Sequence, residues 1–259
     1  MKTLLAKHRS IRKFRSEPIA PEVLQDMLEA ASRASTCGNM QLYSLIVTQS
    51  RELREALAPC HFNQPMVTQA PCVITVCADV HRFSMWCEQR DAEPCYDNFA
   101  WFLNGVTDAL LAAQNLCVEA EAHGLGICYL GTTIYTAEEI ARILDLPKGV
   151  IPVTTIVVGH PDESPELTDR LPLDAVVHCE KYHHYTSSEI DELWAEKETS
   201  EETRRLLEEN GLPNLAQIFT RNRYRAEDNL AISRNYFALL KKQGFFNNNT
   251  SVKIYRAKS

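Results

Sequence analysis

The fold is decided by residues 99–131, FAWFLNGVTDALLAAQNLCVEAEAHGLGICYLG. Residues 99–123 predict one long helix whose apolar side chains occupy most of its circumference. Such a helix is typical of the centre of a protein or of an oligomer interface. Gly124 is expected to end the helix in the left-handed conformation, and ICYLG (127–131) predicts a short strand directly after it.

Other helices and strands alternate around this stretch at irregular spacing. Runs rich in apolar and β-branched residues predict strands at 42–48, 72–78 and 152–159. Helical spacing of apolar residues predicts helices at 21–34, near 50–58 and at 137–145. Thr136 is expected to begin the last of these with a capping box. Because no repeat period connects the elements, an α+β sheet layered with helices is favoured over a regular doubly wound fold.

Composition excludes several classes of protein. The chain has 259 residues, with 34 acidic and 27 basic side chains and a net charge of −7, which argues against a nucleic-acid-binding protein. Its hydrophobic content of 45% excludes a disordered or collagen-like chain. No uncharged apolar run reaches the roughly 18 residues of a membrane span. Since the start also lacks a signal-peptide-like apolar segment, we expect a cytoplasmic protein.

The nine cysteines form no C-x-x-C pair, and their odd number prevents complete pairing within the chain. Cys72, Cys77 and Cys117 lie in apolar runs, which predicts buried thiols in a reducing compartment. The clustered spacing of a zinc site is missing, so no structural metal is expected.

The composition changes near residue 180, where charged side chains become dominant. We expect residues 1–180 to form one domain. Residues 181–259 are interpreted as a helical C-terminal arm, with an amphipathic helix around 229–242, because they contain few apolar residues for their length. This arm is expected to wrap a partner subunit or the body of its own chain, and an independent domain is disfavoured.

HRSIRKFRSEPI, residues 8–19, is the stretch most informative about chemistry. His8, Arg9, Ser10 and Arg12 place an imidazole, two fixed cations and a hydroxyl close together in the chain. These groups suit an anion such as a phosphate, which accepts charge-assisted hydrogen bonds. His8, Ser10 and Arg12 would share one side of an extended backbone. A solvated basic terminus is the alternative, and a nucleic-acid or targeting role stays open on this segment alone.

Four motifs in this order resemble the nitroreductase family of FMN-dependent oxidoreductases, in particular its NAD(P)H-dependent flavin and nitro reductases with longer C-terminal arms. The motifs are HRSIRKF-x-x-EPI at 8–19, STCGNMQ at 35–41, GLGICYLG at 124–131 and RLP at 170–172. VTDALLAAQNLCVEAEAHGLG is similar to the family's central helix. The resemblance implies a layered α+β fold with a central mixed or antiparallel sheet flanked by helices and an extended C-terminal arm. It also implies a homodimer with FMN at the subunit interface.

The resemblance also implies which residues hold the flavin. Its phosphate and ribityl chain would be held by His8, Arg9, Ser10, Arg12 and Arg170. The small polar loop would reach the flavin of the neighbouring subunit through Ser35, Thr36, Asn39 and Gln41. Gln64 would lie near the pyrimidine end of the ring. The segment beside the isoalloxazine would be Tyr129, Leu130, Gly131 and Thr132. No catalytic side chain is expected, because the cofactor carries the chemistry.

Simpler interpretations of some of these residues remain open. Gly124, Gly126 and Gly131 could be ordinary residues at the ends of helices and strands. Asn39 and Gln41 could satisfy backbone groups in a turn.

Three positions depart from the family pattern. Relatives commonly have Gly where Thr132 stands, Lys where Thr168 stands, and a Pro-aromatic pair in place of Leu42-Tyr43. A cation near N1 and O2 of the flavin raises its potential. With Thr168 in that position, either another group supplies the charge or the flavin is less oxidising than in relatives.

Arg221, Arg223 and Arg225 alternate in TRNRYRAED and would project from one side of an extended segment. Our hypothesis is that they contact the 2′-phosphate of NADPH and favour it over NADH. The alternative is a solvated or acid-paired arm.

The resemblance implies ping-pong hydride transfer from NAD(P)H to the flavin and then to a nitroaromatic, a quinone or free flavin. Three rival functions remain. A related enzyme could be a dehydrogenase, a dehalogenase or a flavin-fragmenting enzyme. A flavin-binding protein could be a non-enzymatic sensor. A module without flavin could bind an anion or a nucleic acid.

Overall fold

A computed structural model describes residues 2–246 of the chain. Its sheet has four strands: β1 (Tyr43–Thr48), β2 (Cys72–Asp79), β3 (Gly126–Leu130) and β4 (Val150–Gly159). The strands lie in the order β1-β2-β4-β3, and each neighbouring pair is antiparallel. β2 is buried along its whole length, as its unbroken apolar run predicts. The predicted α+β fold and the positions of its strands are confirmed.

The helices of the described chain are α1 (Lys2–Leu5), α2 (Pro21–Ser32), α3 (Arg51–Leu57), α4 (Met66–Gln69), α5 (His81–Glu88), α6 (Phe99–Ala122), α7 (Ala137–Ile143), α8 (Ser187–Thr199), α9 (Glu201–Asn210), α10 (Leu215–Ile218) and α11 (Ala226–Lys242). Short 3-10 turns occur at Cys37–Asn39, Ala58–His61, Gly131–Ile134 and Leu173–Ala175.

Alternate residues of the strands point into cores on the two faces of the sheet. On one face, Ile74 and Ile156 pack with α2 and α6. On the other face, Val73 and Val157 pack with α4 and with the segment around Ile11. The sheet is therefore enclosed by helices on one side and by shorter segments on the other.

The central helix α6 begins at its cap Asn98, whose side chain accepts a hydrogen bond from the backbone N–H of Trp101. It ends before Gly124, whose φ of 74° is in the left-handed region, as predicted. Its alanine-rich face is fully buried, with Ala109, Ala112 and Ala113 at 0% exposure. Elsewhere on α6 four large apolar side chains are 40–48% exposed on the described chain, together with exposed Thr107, Gln114 and Asn115; the apolar four are Phe99, Leu103, Leu110 and Leu111.

The capping box predicted at Thr136 is wrong. No side-chain hydrogen bond caps the first turn of α7. The Thr136 hydroxyl instead donates to the backbone carbonyl of Cys60 at 2.7 Å. A distant acceptor therefore competes successfully for a hydroxyl that the local sequence assigns to the helix N-terminus.

The thiols of Cys72, Cys77 and Cys117 are fully buried, as their apolar surroundings predict. Burial raises the pKa of Cys72 and of Cys117 to about 12, so both are neutral thiols at physiological pH. All nine cysteines are free.

The chain divides into two compact units. Among the described residues, the first comprises residues 2–165 and 234–246, and the second comprises residues 166–233. The second unit contains α8, α9, α10 and the beginning of α11, with α8 started by a capping box of Thr186 and Glu189. The predicted arm 181–259 thus contributes to both units. Among the described residues, no helix combines the length and apolar character needed to cross a membrane.

Candidate cofactor site

The basic segment at residues 8–14 runs beside β3. Ser10 forms a parallel bridge with Ile127, and the backbone N–H of Ile11 donates to the carbonyl of Ile127 at 2.9 Å. A Cβ added to Gly126 would lie 2.6 Å from Cγ1 of Ile11. Gly126 therefore allows a close approach that no other residue would permit. The buried side chains of Ile11 and Phe14 anchor the segment while the polar residues between them stay accessible.

Polar side chains of this segment contact residues that are distant in the chain. Nδ1 of His8 lies 2.6 Å from Oε1 of Glu121 at the end of α6. The Arg9 guanidinium donates to the carbonyl of Pro165 at 2.8 Å. The Arg12 side chain is exposed. Burial raises the pKa of the Cys128 thiol, and the positive charge of Arg12 and a hydrogen bond with the Ser10 hydroxyl both lower it, which partly offsets the rise.

Two carboxylates that sequence reasoning missed support the basic segment. Glu163 accepts hydrogen bonds from the backbone N–H groups of Arg12 and Lys13, the second at 3.1 Å. Glu121 fixes the His8 ring. Neither acid lies near the segment in sequence, so no local signal identifies it. Long-range contacts therefore hold the backbone of this segment, while the side chains of Arg12 and Lys13 stay exposed, as the alternative of a solvated basic terminus also expects.

The far end of β3 leads into a second group of polar residues. The turn Gly131–Ile134 follows β3 directly, and the residues before α4 include Gln64. Oε1 of Gln64 is buried and has no hydrogen-bond partner among the described residues. A Cβ added to Gly131 would meet no described protein atom within 4 Å. A buried acceptor without a partner and open space over the backbone together fit a polar, flat ligand.

His61 and Thr132 form a contact that no sequence motif predicts. Nδ1 of His61 lies 2.8 Å from Oγ1 of Thr132, and the His61 residue is 0% exposed. Burial lowers the pKa of His61 to about 4, so the ring is neutral at physiological pH. Nε2 of His61 has no hydrogen-bond partner among residues 2–246.

Tyr129 and Leu130 direct their side chains into the protein. The Tyr129 ring packs against the core on the α6 side and is paired with the Cys117 thiol, and burial raises its pKa. The Leu130 side chain is 2% exposed in the core on the other face. Any contact of these two residues with a ligand would therefore involve their backbone atoms.

The small polar loop at 35–41 is organised by Asp108 of α6. The buried Asp108 carboxylate accepts hydrogen bonds from the backbone N–H groups of Cys37 at 2.9 Å and Leu42 at 3.1 Å. The sequence does not single out Asp108. Its spacing from the loop gave no signal, because 71 and 66 residues separate the bonded pairs.

Polar side chains of the loop also satisfy its own backbone. Oγ1 of Thr36 accepts from the backbone N–H of Gln41 at 2.8 Å. The Gln41 amide donates to Oδ1 of Asn39 at 2.7 Å. Asn39 and Gln41 adopt positive φ values of 57° and 49°. The Gln41 amide also donates to the backbone carbonyl of Asn39, as the simpler interpretation expected, whereas the Asn39 side chain accepts from the Gln41 side chain. Ser35 is exposed.

Residues of the second unit include Arg170, which is exposed. Its guanidinium donates to the carbonyls of Asp169 at 2.8 Å and Thr168 at 3.3 Å in its own segment. Asp169 in turn pairs with Lys197 at 2.8 Å.

The expectation of an extended segment at 221–225 is wrong, because Phe219–Arg223 is a π-helical turn. The Arg223 guanidinium lies over the Phe219 ring at 5.3 Å. Arg225 pairs with Asp228 at 2.7 Å and Glu227 at 3.4 Å, so the acid-paired alternative describes it. Arg221 is exposed.

Comparison with known proteins identifies the family that shares this fold and these motifs. The model of the Nitroreductase family matches residues 5–101 and 58–160, which include the basic segment, the polar loop, Gln64 and β3. The chain belongs to the nitroreductase family. An NADPH-dependent oxidoreductase of Staphylococcus aureus (strain USA300) is 36% identical over 184 residues, which cover 70% of this chain and 73% of that protein.

Solved structures of the family extend the match to almost the whole chain. A chain from Bacteroides fragilis NCTC 9343 superposes with a TM-score of 0.93 at 48% identity, covering 95% of this chain and 100% of its own. NfrA2 of B. megaterium gives a TM-score of 0.81 at 30% identity, covering 95% and 97%. The NADPH:FMN oxidoreductase of Vibrio harveyi, solved with NAD+, gives 0.79 at 26% identity, covering 95% and 99%. The predicted family, its layered fold and the assignment as an oxidoreductase are therefore confirmed.

Proposed function

We propose that the protein is an FMN-dependent reductase that uses NAD(P)H. The observation that carries the proposal is the pair of complementary ends along β3. One end offers His8, Ser10 and Arg12, which suit a phosphate, and open backbone at Gly131 follows the other end. Gln64, whose buried Oε1 has no partner among the described residues, lies shortly after the turn Ala58–His61, which contacts the turn Gly131–Ile134 through His61 and Thr132. An elongated cofactor with a phosphate at one end and a flat polar ring at the other fits both ends.

The chain's own residues would bind and orient this cofactor. Arg12 and Ser10 would donate to the phosphate, and the His8 ring, held by Glu121 through Nδ1, would present Nε2. Gln64 would pair with the polar edge of the ring. Bound FMN would supply the chemistry, accepting a hydride from NAD(P)H and then passing electrons to a nitroaromatic, a quinone or free flavin in a ping-pong cycle. We assign no catalytic side chain.

We propose a homodimer in which α6 supplies the contact. Its Phe99, Leu103, Leu110 and Leu111 are 40–48% exposed on the described chain. Several large apolar side chains exposed on one helix are typical of a protein–protein interaction site. The loop at 35–41, fixed to the same helix by Asp108, would then approach the partner's flavin through Ser35 and Asn39. We also propose a cytoplasmic location, which suits the free cysteines.

NADPH is proposed as the favoured donor, because the named relatives of S. aureus and V. harveyi use it. Arg221 and Arg223 are the candidates for its 2′-phosphate, whereas Arg225 is already paired with acids. Reversing the charge of Arg221 and Arg223 is expected to raise the KM for NADPH and to leave use of NADH intact. An equal response of both donors would remove this assignment. Arg170 remains proposed as a further phosphate ligand.

Flavin content tests the proposal directly. Purified protein should be yellow and release FMN on denaturation. Arg12→Ala is expected to lose FMN, because one charge-assisted contact of about 1.5–3 kcal/mol disappears. Lys13→Ala is the matched control, since Lys13 is its exposed neighbour. Full flavin content in Arg12→Ala would refute the phosphate assignment.

Turnover separates the reductase from its rivals. Anaerobic NADPH should bleach the bound flavin rapidly, and a nitroaromatic or quinone should restore its colour. Bound flavin that NADPH does not reduce would indicate a sensor. Reduction without reoxidation by these acceptors would indicate another reaction within the family, such as that of a dehydrogenase or a dehalogenase.

A further inference from the structure

His61 and Thr132 form a buried pair that the proposed function leaves unassigned. They belong to the turns Ala58–His61 and Gly131–Ile134, and Nδ1 of His61 lies 2.8 Å from Oγ1 of Thr132. The same two stretches of chain are already joined by the hydroxyl of Thr136, which donates to the carbonyl of Cys60 at 2.7 Å. A second hydrogen bond therefore connects the same two stretches of chain.

The surroundings of His61 decide which ring nitrogen carries the hydrogen. Nε2 is buried and has no hydrogen-bond partner among the described residues. A buried N–H without an acceptor is rarer and costlier than a buried lone pair without a donor. The ring is neutral, since burial lowers its pKa to about 4, and so it carries a single hydrogen. On this ground we assign that hydrogen to Nδ1, which would then donate it to Thr132.

The direction of the Thr132 hydroxyl follows from this arrangement. Its oxygen accepts from His61, so its own hydrogen must point elsewhere. Within residues 2–246, His61 is the one side chain or backbone group at hydrogen-bond distance from this hydroxyl. Thr132 is half-buried, and it follows Gly131, over which the space is open to 4 Å among the described atoms. The hydrogen of this hydroxyl therefore has no acceptor among the described residues.

We propose that the Thr132 hydroxyl, oriented by His61, donates a hydrogen bond to an acceptor atom of the flavin ring and favours the reduced ring. This inference rests on the proposed function, because it requires bound FMN. Reduction places more negative charge on the ring's acceptor atoms, and a fixed donor stabilises that charge more than it stabilises the oxidised ring. His61 is a positioning residue, and Thr132 is the group that would touch the cofactor.

Paired variants test the hydroxyl and its orientation separately. Thr132→Val removes the hydroxyl at nearly constant volume, and Thr132→Ser retains it. His61→Leu removes the donor, and His61→Asn places an amide nitrogen near the position of Nδ1. The readouts are the midpoint potential of bound FMN, measured by dye equilibration, and the Kd of the apoprotein for oxidised FMN.

Thr132→Val and His61→Leu are expected to lower the ratio of reduced to oxidised FMN affinity about five- to tenfold, the effect of one lost hydrogen bond. For a two-electron couple, tenfold corresponds to about 30 mV. The Ser and Asn variants should stay within about twofold of the wild type. The double variant should lose no more than Thr132→Val alone, because both changes act through one hydroxyl.

An unchanged potential in Thr132→Val would overturn the inference. A normal potential in His61→Leu would overturn the positioning role, and if that variant fails to fold, Thr132→Val and Thr132→Ser still decide the hydroxyl's role. The ¹⁵N NMR spectrum of wild-type His61 at neutral pH should show an unprotonated Nε2, and a protonated Nε2 would contradict the orientation. Wild-type protein that binds no FMN would remove the proposed function itself, whereas normal binding with an unaffected Thr132→Val removes the inference alone.

Discussion

Gly131→Ala is expected to separate cofactor binding from folding. An added Cβ would meet no described protein atom within 4 Å, and the φ of Gly131 lies outside the left-handed region. The free energy of unfolding of the apoprotein should therefore change by no more than about 0.5 kcal/mol, as at an unconstrained surface position. Any gain within that range should come from the lower conformational entropy of the unfolded chain.

The same methyl group would project into the space proposed for the flavin ring. Inserting a methyl into a close-packed contact costs about 1–3 kcal/mol. The Kd for FMN should therefore rise about 5- to 150-fold. Quenching of FMN fluorescence by the apoprotein measures this constant, and urea unfolding measures the stability of the same sample.

Gly126→Ala is the matched control, because its Cβ would lie 2.6 Å from Cγ1 of Ile11. This variant should lose about 1–3 kcal/mol of stability whether or not flavin is present. If Gly131→Ala binds FMN as tightly as wild type, the ring does not lie against this backbone. If Gly131→Ala is as unstable as Gly126→Ala, the space over Gly131 is not open.

Two further predictions concern the buried titratable side chains of Asp108 and His61. Asp108→Asn should lower the free energy of unfolding, measured in urea, by about 2–4 kcal/mol. Two hydrogen bonds to the carboxylate, each of about 1.5–3 kcal/mol, are weakened or lost. Asp26→Asn, at an exposed position, should have little effect, and equal losses in the two variants would contradict the role of Asp108. Folding lowers the pKa of His61 from 6.5 to about 4, so between these pH values His61 is protonated in the unfolded chain and neutral in the folded chain. Stability should be complete above pH 6.5 and fall by about 3 kcal/mol as the pH drops to 4, relative to His61→Asn; parallel pH profiles would show that His61 is not buried as a neutral ring.

The elements that the sequence predicts well are those whose signal is local and repeated. β2 is an unbroken apolar run and is buried along its whole length. α6 carries apolar residues over many turns, and Gly124 ends it with the conformation that glycine favours. In each case many neighbouring residues favour the same structure, so no single competing contact can change the outcome.

The details that the sequence does not predict depend on partners far away in the chain. Glu121 meets His8 across 113 residues, and His61 meets Thr132 across 71. Thr136 shows the competition directly, because its sequence favours a cap and its hydroxyl instead bonds to Cys60. Single polar contacts of this kind leave no periodic pattern, so only the folded chain reveals which acceptor a hydroxyl selects.

β3 also determines the distance between the two ends of the proposed site. Ser10 is bridged to its second residue, Ile127, and the turn containing Thr132 begins directly after its end at Leu130. At about 3.3 Å per residue, the three steps from Ile127 to Leu130 span roughly 10 Å, after which the chain enters the turn Gly131–Ile134. Inserting one residue would lengthen this span and would also exchange the faces on which Cys128 and Leu130 pack, exposing one core while overfilling the other. The separation between the two ends of the site is thus protected by the hydrophobic core itself, so ligand length is a property that mutation cannot adjust gradually.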